Sequence, residues 1–196
     1  MNMKVEKIKK SNEGLNLSFT LKKAGTAFAN SLRRISMGQV PVLAIDGITM
    51  YENSSAFFDE YIANRTGLIP IKTPDGYEES DEVLFELSAE GPGVVYSKDL
   101  TCSERGVACV AKKIPIIELV EDQVLRFEGR ARLGRGREHA KFQPCLASYG
   151  YDDKAKEFNF MVESFGQMSA AAVMLKTAEI LQDKCEQMLE QLGKKK

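Results

Sequence analysis

The sequence has few of the residues that build metal centres. Its cysteines are scattered without a C-x-x-C pair, and it contains a single histidine, His139. Structural zinc and iron–sulfur sites need clustered thiolate or imidazole ligands, so the sequence predicts no metal and no cofactor in this chain. Scattered cysteines are typical of reduced thiols in the cytoplasm, where we expect the protein to reside. The cysteines are Cys102, Cys109, Cys145 and Cys185.

Long apolar runs and an excess of charge are also missing. No apolar stretch approaches roughly 18 residues, and residues 1–10 lack a signal-peptide core, so we expect no contact with a membrane. The chain has 27 Lys+Arg and 28 Asp+Glu, a net charge of −1. A near-neutral protein has no global field that draws it to nucleic acid. Contact with DNA would need a local basic patch or a partner.

Motifs of autonomous catalysis are absent as well. The sequence has no G-x-S-x-G, H-E-x-x-H or Walker pattern. A catalytic pair would have to use His139, whose neighbours Glu138 and Lys141 could form an acid–base set, although such local clustering is common by chance. The sequence therefore predicts that the chain is not an enzyme on its own. A small hydrolase or transferase that uses His139 is kept as an alternative.

What the sequence does contain is apolar periodicity, which begins near the N-terminus. Residues 3–9 and 15–21 are predicted strands, and the second alternates as a half-buried strand does. A helix is predicted over 26–37, because Phe28, Leu32 and Ile35 recur at helical spacing and form one buried stripe.

Two further strands and a second helix are predicted next. The strands cover residues 40–45 and 48–51. Ser54 or Ser55 is predicted to cap the helix, which Gly67 ends.

The middle of the chain is strand-like from about residue 83 to residue 151. Between Val124 and Leu133, apolar residues alternate with charged ones, which predicts a half-buried strand with a charged outer side. Helical segments thus lie near both ends with a β-rich block between them. The sequence predicts an α+β protein in which this block is inserted into a domain made from both chain ends.

The final helix carries a heptad pattern of apolar residues. Ser169 is its predicted N-cap and Gly193 ends it. The positive charges of Lys194–Lys196 are predicted to complement the negative C-terminal end of the helix dipole. Such a stripe either packs on the protein's own sheet or binds a partner helix, and the sequence leaves both open. We call this stripe the seam: Ala171, Met174, Ala178, Leu181, Cys185, Met188 and Leu192.

Two groups of cations are candidate binding residues. Arg33 and Arg34 are adjacent on the first helix, and Asn30 lies one turn earlier. The guanidinium groups of the two arginines either bind carboxylates of a partner or are solvated, and the sequence leaves both open. The segment from Arg126 to Lys141 contains six cationic residues and only two glutamates. This patch supports an alternative function, a free-standing nucleic-acid-binding protein. The Gly134-x-Gly136 pattern within it is a weak phosphate-loop signal, because a third glycine is missing.

Four ordered segments together resemble one family. They are ANSLRRISMGQVPVLAIDGITMYENSSAFFDEYIANRTGLIPI (29–71), VVYSKDL (94–100), ARLGRGREHAKFQPCLASYGY (131–151) and FNFMVESFGQMSAAAVMLKTAEIL (158–181). They resemble the D subunit of archaeal DNA-directed RNA polymerase, the counterpart of the N-terminal domain of the bacterial α subunit and of the third-largest subunit of eukaryotic polymerase II. The resemblance covers nearly the whole chain.

The resemblance implies a fold and a role in transcription. It implies an α-like dimerisation domain from residues 1–47 and 155–196, and an inserted β-rich domain over 48–154. Such a subunit is a non-catalytic assembly scaffold within a nucleotidyltransferase complex. It forms a heterodimer with subunit L, docks the second-largest subunit, and meets the small zinc-binding subunits N and P. It contacts DNA only through the assembled complex.

The resemblance also implies roles for particular residues. Asn30, Arg33 and Arg34 match the helix that docks the second-largest subunit. Dimerisation is expected to use Phe28, Leu32, Ile35, Met174, Ala178, Leu181, Cys185, Met188 and Leu192. Further subunit contacts are expected at Arg135, Arg137, His139 and Lys141.

One feature departs from the family pattern. Many members carry a cysteine-rich domain, in several cases with iron–sulfur clusters, where this chain has only residues 152–157. We therefore expect no cluster here.

Overall fold

The computed structural model describes residues 3–193, which form two compact units. Within the described residues, the terminal unit comprises 3–40, Arg135–Arg137 and 143–193, and the insert unit comprises Pro41–Gly134 and Glu138–Phe142. Residues 1–2 and 194–196 lie outside the described part, and with them the predicted role of Lys194–Lys196.

The described residues contain both helices and strands, with strands in the majority. In chain order the elements are β1 (Lys4–Ser11), β2 (Asn16–Lys22), α1 (Thr26–Gly38), β3 (Pro41–Asn53), α2 (Asp59–Gly67), β4 (Glu82–Glu90), β5 (Gly93–Tyr96), β6 (Thr101–Cys102), β7 (Pro115–Leu119), β8 (Val124–Arg135), β9 (Cys145–Asp152), β10 (Glu157–Ser164) and α3 (Ala170–Gly193). The predicted α+β class with a β-rich insert is confirmed.

The terminal unit is built on an antiparallel sheet that joins the two ends of the chain. Its strand order is β1-β2-β10-β9. Leu21 of β2 lies opposite Phe158 of β10, and the rings of Phe19 and Phe160 stack with centroids 4.8 Å apart. These side chains are buried, so the pairing of β2 with β10 also forms the centre of the core.

Helices α1 and α3 pack on the apolar side of this sheet and contact each other. The predicted N-cap of α3 is confirmed, because the Ser169 hydroxyl accepts a hydrogen bond from the Ala172 amide at 3.2 Å. The face that α3 buries is Ala170, Val173 and Thr177. This face is shifted by one residue from the predicted seam, which therefore lies beside the core contact and not in it.

The insert unit contains a second sheet, in the order β3-β8-β4-β6, and the pair β5-β7. In β8 the predicted alternation is confirmed, since Leu125, Phe127 and Ala131 are buried whereas Arg126 and Arg130 are exposed. The buried side chains of both strand groups form one hydrophobic core.

Two local predictions in this unit are wrong. Residues 41–53 form one continuous strand and not two. Helix α2 has Phe58 at its N-cap position, without a side-chain hydrogen bond. The predicted cap Ser54 instead pairs with β8, where its hydroxyl accepts a hydrogen bond from the Val124 amide at 2.7 Å. The pairing of β3 with β8 thus extends to Ser54, the position at which the sequence predicts the start of the helix.

The unit boundaries also differ from the predicted 1–47, 48–154 and 155–196. Leu43 and Ile45 belong to the core of the insert unit, because β3 starts at Pro41. Strand β9 belongs to the terminal unit, because it pairs with β10 along its whole length, from Cys145↔Ser164 to Asp152↔Glu157. The turn between these two strands covers only residues 153–156.

Asp46 of β3 holds together the charged side of the insert unit. Its carboxylate accepts a hydrogen bond from Arg132 Nε at 2.6 Å and lies 2.5 Å from Lys141 Nζ. Partial burial opposes ionisation, but the hydrogen bonds from Lys141 and Arg132 outweigh it and lower the pKa of Asp46 below its ordinary value. The carboxylate therefore fastens the 138–142 segment to β3 and β8.

Replacing this carboxylate should make stability less dependent on pH. Because the folded-state pKa of Asp46 is lowered, its contribution is present above the unfolded pKa and is lost as pH falls through the folded one. We expect Asp46→Asn to lower the free energy of unfolding by roughly 0.5–1 kcal/mol near neutral pH, solvent screening included. The difference from wild type should vanish near pH 2 in urea titrations, and Glu121→Gln is the control. A constant difference at both pH values would contradict this account.

Candidate functional site

Four of the nine predicted dimerisation residues meet at an apolar groove of the terminal unit. The groove has a volume of about 470 Å³. Phe28, Leu32, Met174 and Ala178 line it, as predicted residues, together with side chains of β1 and β2. We call it the apolar groove; its other lining residues are Met3, Val5, Ile8, Lys10, Leu17, Phe19, Leu21, Ala171 and Leu175.

A bulge in β1 completes one wall of this groove. The register between β1 and β2 shifts between Glu6 and Lys9, and Lys7 has a positive φ of 54°. Without the shift, Lys7 would follow Val5 on the apolar side, since alternate residues of a strand share a face. With it, Ile8 takes that place. Although β1 contains several lysines, it thereby presents the apolar side chains of Val5 and Ile8 to the groove.

Several side chains of the apolar groove are exposed to water. Val5 is 47 % exposed, Ile8 59 % and Leu175 63 %. Burying one such side chain fully contributes roughly 1.5–3 kcal/mol. Contiguous exposed apolar residues of this kind mark sites where a protein binds a partner.

The seam continues this apolar surface beyond the sheet. Every residue from 182 to 193 is exposed, and Met188 and Leu192 are 63 % and 61 % exposed. At 1.5 Å per residue this segment is on the order of 18 Å long. Within residues 3–193, nothing covers it. The seam is therefore divided, because Met174 and Leu181 pack against the core of the terminal unit whereas Met188 and Leu192 lie exposed.

A second, polar groove lies at the C-terminal half of α1. It has a volume of about 880 Å³ and contains the predicted docking residues Asn30 and Arg34. Arg137 and Lys184 contribute two more cations, and no carboxylate lines the groove. We call it the cationic groove; its remaining lining residues are Ala27, Ser31, Ile35, Met37, Gly38, Gln39, Gly136, Gln143 and Leu181.

The G-x-G pattern positions Arg137 in this groove. A Cβ on Gly136 would lie 2.2 Å from the Met37 carbonyl oxygen, so only glycine allows this close approach to α1. The Arg137 amide then donates a hydrogen bond to the Gly38 carbonyl at 3.0 Å. Gly136 is therefore required for close packing. This role accounts for a G-x-G pattern that lacks the third glycine of a phosphate-binding loop. Gly134 packs in the same way on the ring of Phe142.

The structure separates some residues that were predicted together. Arg33 is half-buried and lines neither groove. Ile35 is 5 % exposed and Leu181 is half-buried, and both line the cationic groove instead of the apolar one. Cys185 lies with Met188 and Leu192 on the exposed end of α3.

The cations of the Arg126–Lys141 patch are largely paired within the insert unit. Arg126 lies 2.8 Å from Glu90 and 3.5 Å from Glu52, and Arg132 lies 3.3 Å from Glu138 as well as close to Asp46. Carboxylates of this chain thus hold three of the six cations, Arg126, Arg132 and Lys141, and the structure gives no support to the alternative of a free-standing nucleic-acid-binding protein.

His139 does not form a catalytic pair. Its Nδ1 accepts a hydrogen bond from the Lys141 amide at 3.1 Å, and Lys141 Nζ is held by Asp46. These three residues share a small cavity of about 190 Å³ with Asn64 and apolar residues, and no serine, threonine or cysteine lines it. The cavity therefore has no hydroxyl or thiol nucleophile. Arg135, predicted with His139 as a contact residue, lies at the end of β8 and already has a partner.

Two of the thiols, those of Cys109 and Cys145, are also unsuited to nucleophilic chemistry. Burial raises the pKa of Cys109 and of Cys145 to about 11, so both thiols stay protonated. Within residues 3–193, no three acidic, histidine or cysteine side chains converge as a metal site would require. None of the described helices is long and apolar enough to span a membrane.

Sequence reasoning missed several residues of the two grooves. Val5, Ile8 and Leu175 line the apolar groove, and only the bulge places Ile8 there. Lys184 faces the same groove as Arg137, although the two are far apart in the sequence. The spacing of Ala171, Leu175 and Ala178 could have indicated the wider apolar face. No signal in the sequence links Arg137 to Lys184.

Comparison with known proteins shows that the chain is similar to RNA polymerase subunits. A model of the RNA polymerase Rpb3/RpoA insert domain matches residues 48–150. DNA-directed RNA polymerase subunit Rpo3 of Methanocaldococcus jannaschii is 42% identical over 190 residues, 96% of this chain and 96% of that protein. Subunit Rpo3 of Pyrococcus horikoshii is 45% identical over 156 residues, 76% of this chain and 60% of that protein. This chain thus spans one relative almost fully and the other in part.

The close packing at Gly136 gives a direct test of the cationic groove's geometry. We expect Gly136→Ala to lower the free energy of unfolding by roughly 1–3 kcal/mol, because the added methyl group overlaps the Met37 carbonyl. Gly150→Ala is the matched control, since a Cβ there meets nothing within 4 Å. Urea denaturation followed by circular dichroism measures both, and equal stability of the two variants would disprove the packing role.

Proposed function

The chain belongs to the Rpo3 family of archaeal-type DNA-directed RNA polymerase subunits, and from this premise we propose that it is a non-catalytic assembly subunit of such a polymerase. The bond-forming chemistry of this nucleotidyltransferase complex would belong to its largest subunits. In this proposal the chain works in the cytoplasm and contacts DNA only through the assembled complex.

The observation that carries the proposal is the uncovered apolar surface of the terminal unit. The apolar groove and the exposed end of α3 form one face, on which Leu175, Met188 and Leu192 are each more than half exposed. A single chain gains nothing from such a surface in water, whereas a partner that covers it removes the aggregation hazard.

We propose subunit L as the partner that covers this face, as the family resemblance implies. The groove is long and apolar, and the seam on α3 has heptad spacing, which suits packing against a helix of the partner. Of the predicted dimerisation residues, Phe28, Met174 and Ala178 line the groove, and Met188 and Leu192 extend it. Leu32 is 7 % exposed, so its contribution is mainly to support the groove wall.

We propose that the second-largest subunit docks at α1. Asn30 and Arg34 lie together in the cationic groove, which supports their assignment to this contact. Arg33 is assigned to the margin of the contact, because it lies outside the groove.

We propose that subunits N and P contact the insert unit, and Arg135, Arg137, His139 and Lys141 are predicted further subunit contacts that are not assigned to one particular subunit. An exposed aromatic cluster in the same unit supports a further protein contact. Phe58 is 81 % exposed, and the rings of Phe57 and Tyr61 stack at 4.8 Å. Aromatic residues are enriched in protein interfaces.

Co-expression with subunit L from the same genome tests the proposal. We expect a stable one-to-one complex in size-exclusion chromatography with mass determination. Ala178→Asp should weaken it at least a hundredfold, because an unpaired carboxylate in an apolar interface costs roughly 3 kcal/mol or more. Ala178 is exposed in the single chain, so the variant should fold.

The matched control is Gln187→Asp, an exposed position on the side of α3 that faces away from the seam and outside the apolar groove. It introduces the same charge on the same helix. The proposal is wrong if the wild-type chain stays monomeric beside L, or if Ala178→Asp binds L as well as Gln187→Asp does.

A further inference from the structure

The cationic groove has a chemistry that specifies its occupant beyond the two residues that the family resemblance implies. Arg34, Arg137 and Lys184 converge on it from α1, the segment after β8 and α3. Within the described residues, none of the three is paired with a carboxylate, unlike Arg126 and Arg132 of the insert unit. In a chain of net charge −1, such a concentration of unpaired cations calls for negative charge from outside.

We propose that the cationic groove receives an acidic segment of the second-largest subunit, with Arg137 and Lys184 as binding residues beside Arg34. This inference rests on the proposed function, which supplies the second-largest subunit as the partner of α1. Arginine donates two parallel hydrogen bonds to a carboxylate, and arginines from two separate segments of the chain line this groove.

The floor of the groove favours a protein over a nucleic acid. Ile35, Met37 and Leu181 line it, so the segment that fits has apolar residues next to its carboxylates. Nucleic acid would instead require cations that follow a phosphate backbone over several nucleotides. Arg126 and Arg132 of the insert unit, which could bind phosphates, are already paired with Glu52, Glu90 and Asp46.

Arg137 is fixed in place before any partner binds. Its amide is held by the Gly38 carbonyl, and Gly136 presses the segment against the end of α1. Its side chain is exposed, so it can be exchanged without disturbing these backbone contacts. A structural role is the competing explanation, because a cation near the negative end of α1 is favourable by itself.

Charge reversal in the full chain paired with subunit L tests the proposal. The measurement is the affinity of this pair for the second-largest subunit of the same genome, by biolayer interferometry at several NaCl concentrations. We expect Arg137→Glu and Lys184→Glu each to weaken binding at least tenfold. Arg137→Lys should lose less, and the salt dependence of both reversed variants should be flatter than that of wild type.

Lys154→Glu is the control, since Lys154 is an exposed cation in the turn between β9 and β10, outside the groove. A melting curve of each variant separates lost binding from lost stability. Equal affinity of wild type and both reversed variants, including equally absent binding, overturns the proposal. So does groove-dependent binding of a 30-nucleotide single-stranded DNA probe in place of the subunit. Pairing with L, read from the same preparations, reports on the proposed function separately.

Discussion

The pairing of β2 with β10 is the constraint on which the rest of the terminal unit depends. These strands align from Lys22↔Glu157 to Asn16↔Glu163, across most of the length of the chain. Closing a loop of that length costs on the order of 4 kcal/mol in chain entropy. The stack of Phe19 on Phe160 and the burial of Leu21 offset this cost. Folding of the insert as its own compact unit shortens the loop that remains disordered while the strands meet.

The same pairing produces both grooves. Helix α1 follows β2 and helix α3 follows β10, so adjacent strands deliver both helices to one face of the sheet. The apolar groove forms where the first turns of α3 meet α1 and the bulged β1. The cationic groove forms where the second half of α1 meets Arg137 and Lys184. One groove is thus apolar and the other cationic, and in the proposed function each receives a partner of different chemistry.

Much of the fold could be predicted from local pattern. The alternation in β8, the helix over 26–37 and the Ser169 cap rest on the residues that form them, and each is confirmed. The failures have a common physical cause, which is pairing between distant residues. Ser54 bonds to Val124 of another strand, so it cannot cap α2. Strand β9 joins the terminal unit because of its partner β10, and no property of its own sequence shows this.

The candidate site was predictable in the same uneven way. Arg34 and Ala178 stand out by residue type and spacing, and both line grooves. The buried face of α3 is shifted by one position from the seam, because Val173 and Thr177 fit the core and leave the larger Met174 and Leu181 at its margin. Lys184 and Ile8 acquire their places from tertiary packing and from a backbone bulge. Neither position can be predicted from the spacing of residues in the sequence.

The central claim is that a partner covers the apolar groove and the end of α3. Amide hydrogen exchange of this chain, alone and with subunit L, measures that cover directly. The account predicts that residues 182–193 exchange fast in the free chain, since no described residue supports them. Protection there and in β1 should rise at least tenfold with L, while the insert unit stays unchanged. Unaltered exchange in both segments when L is bound would contradict the account.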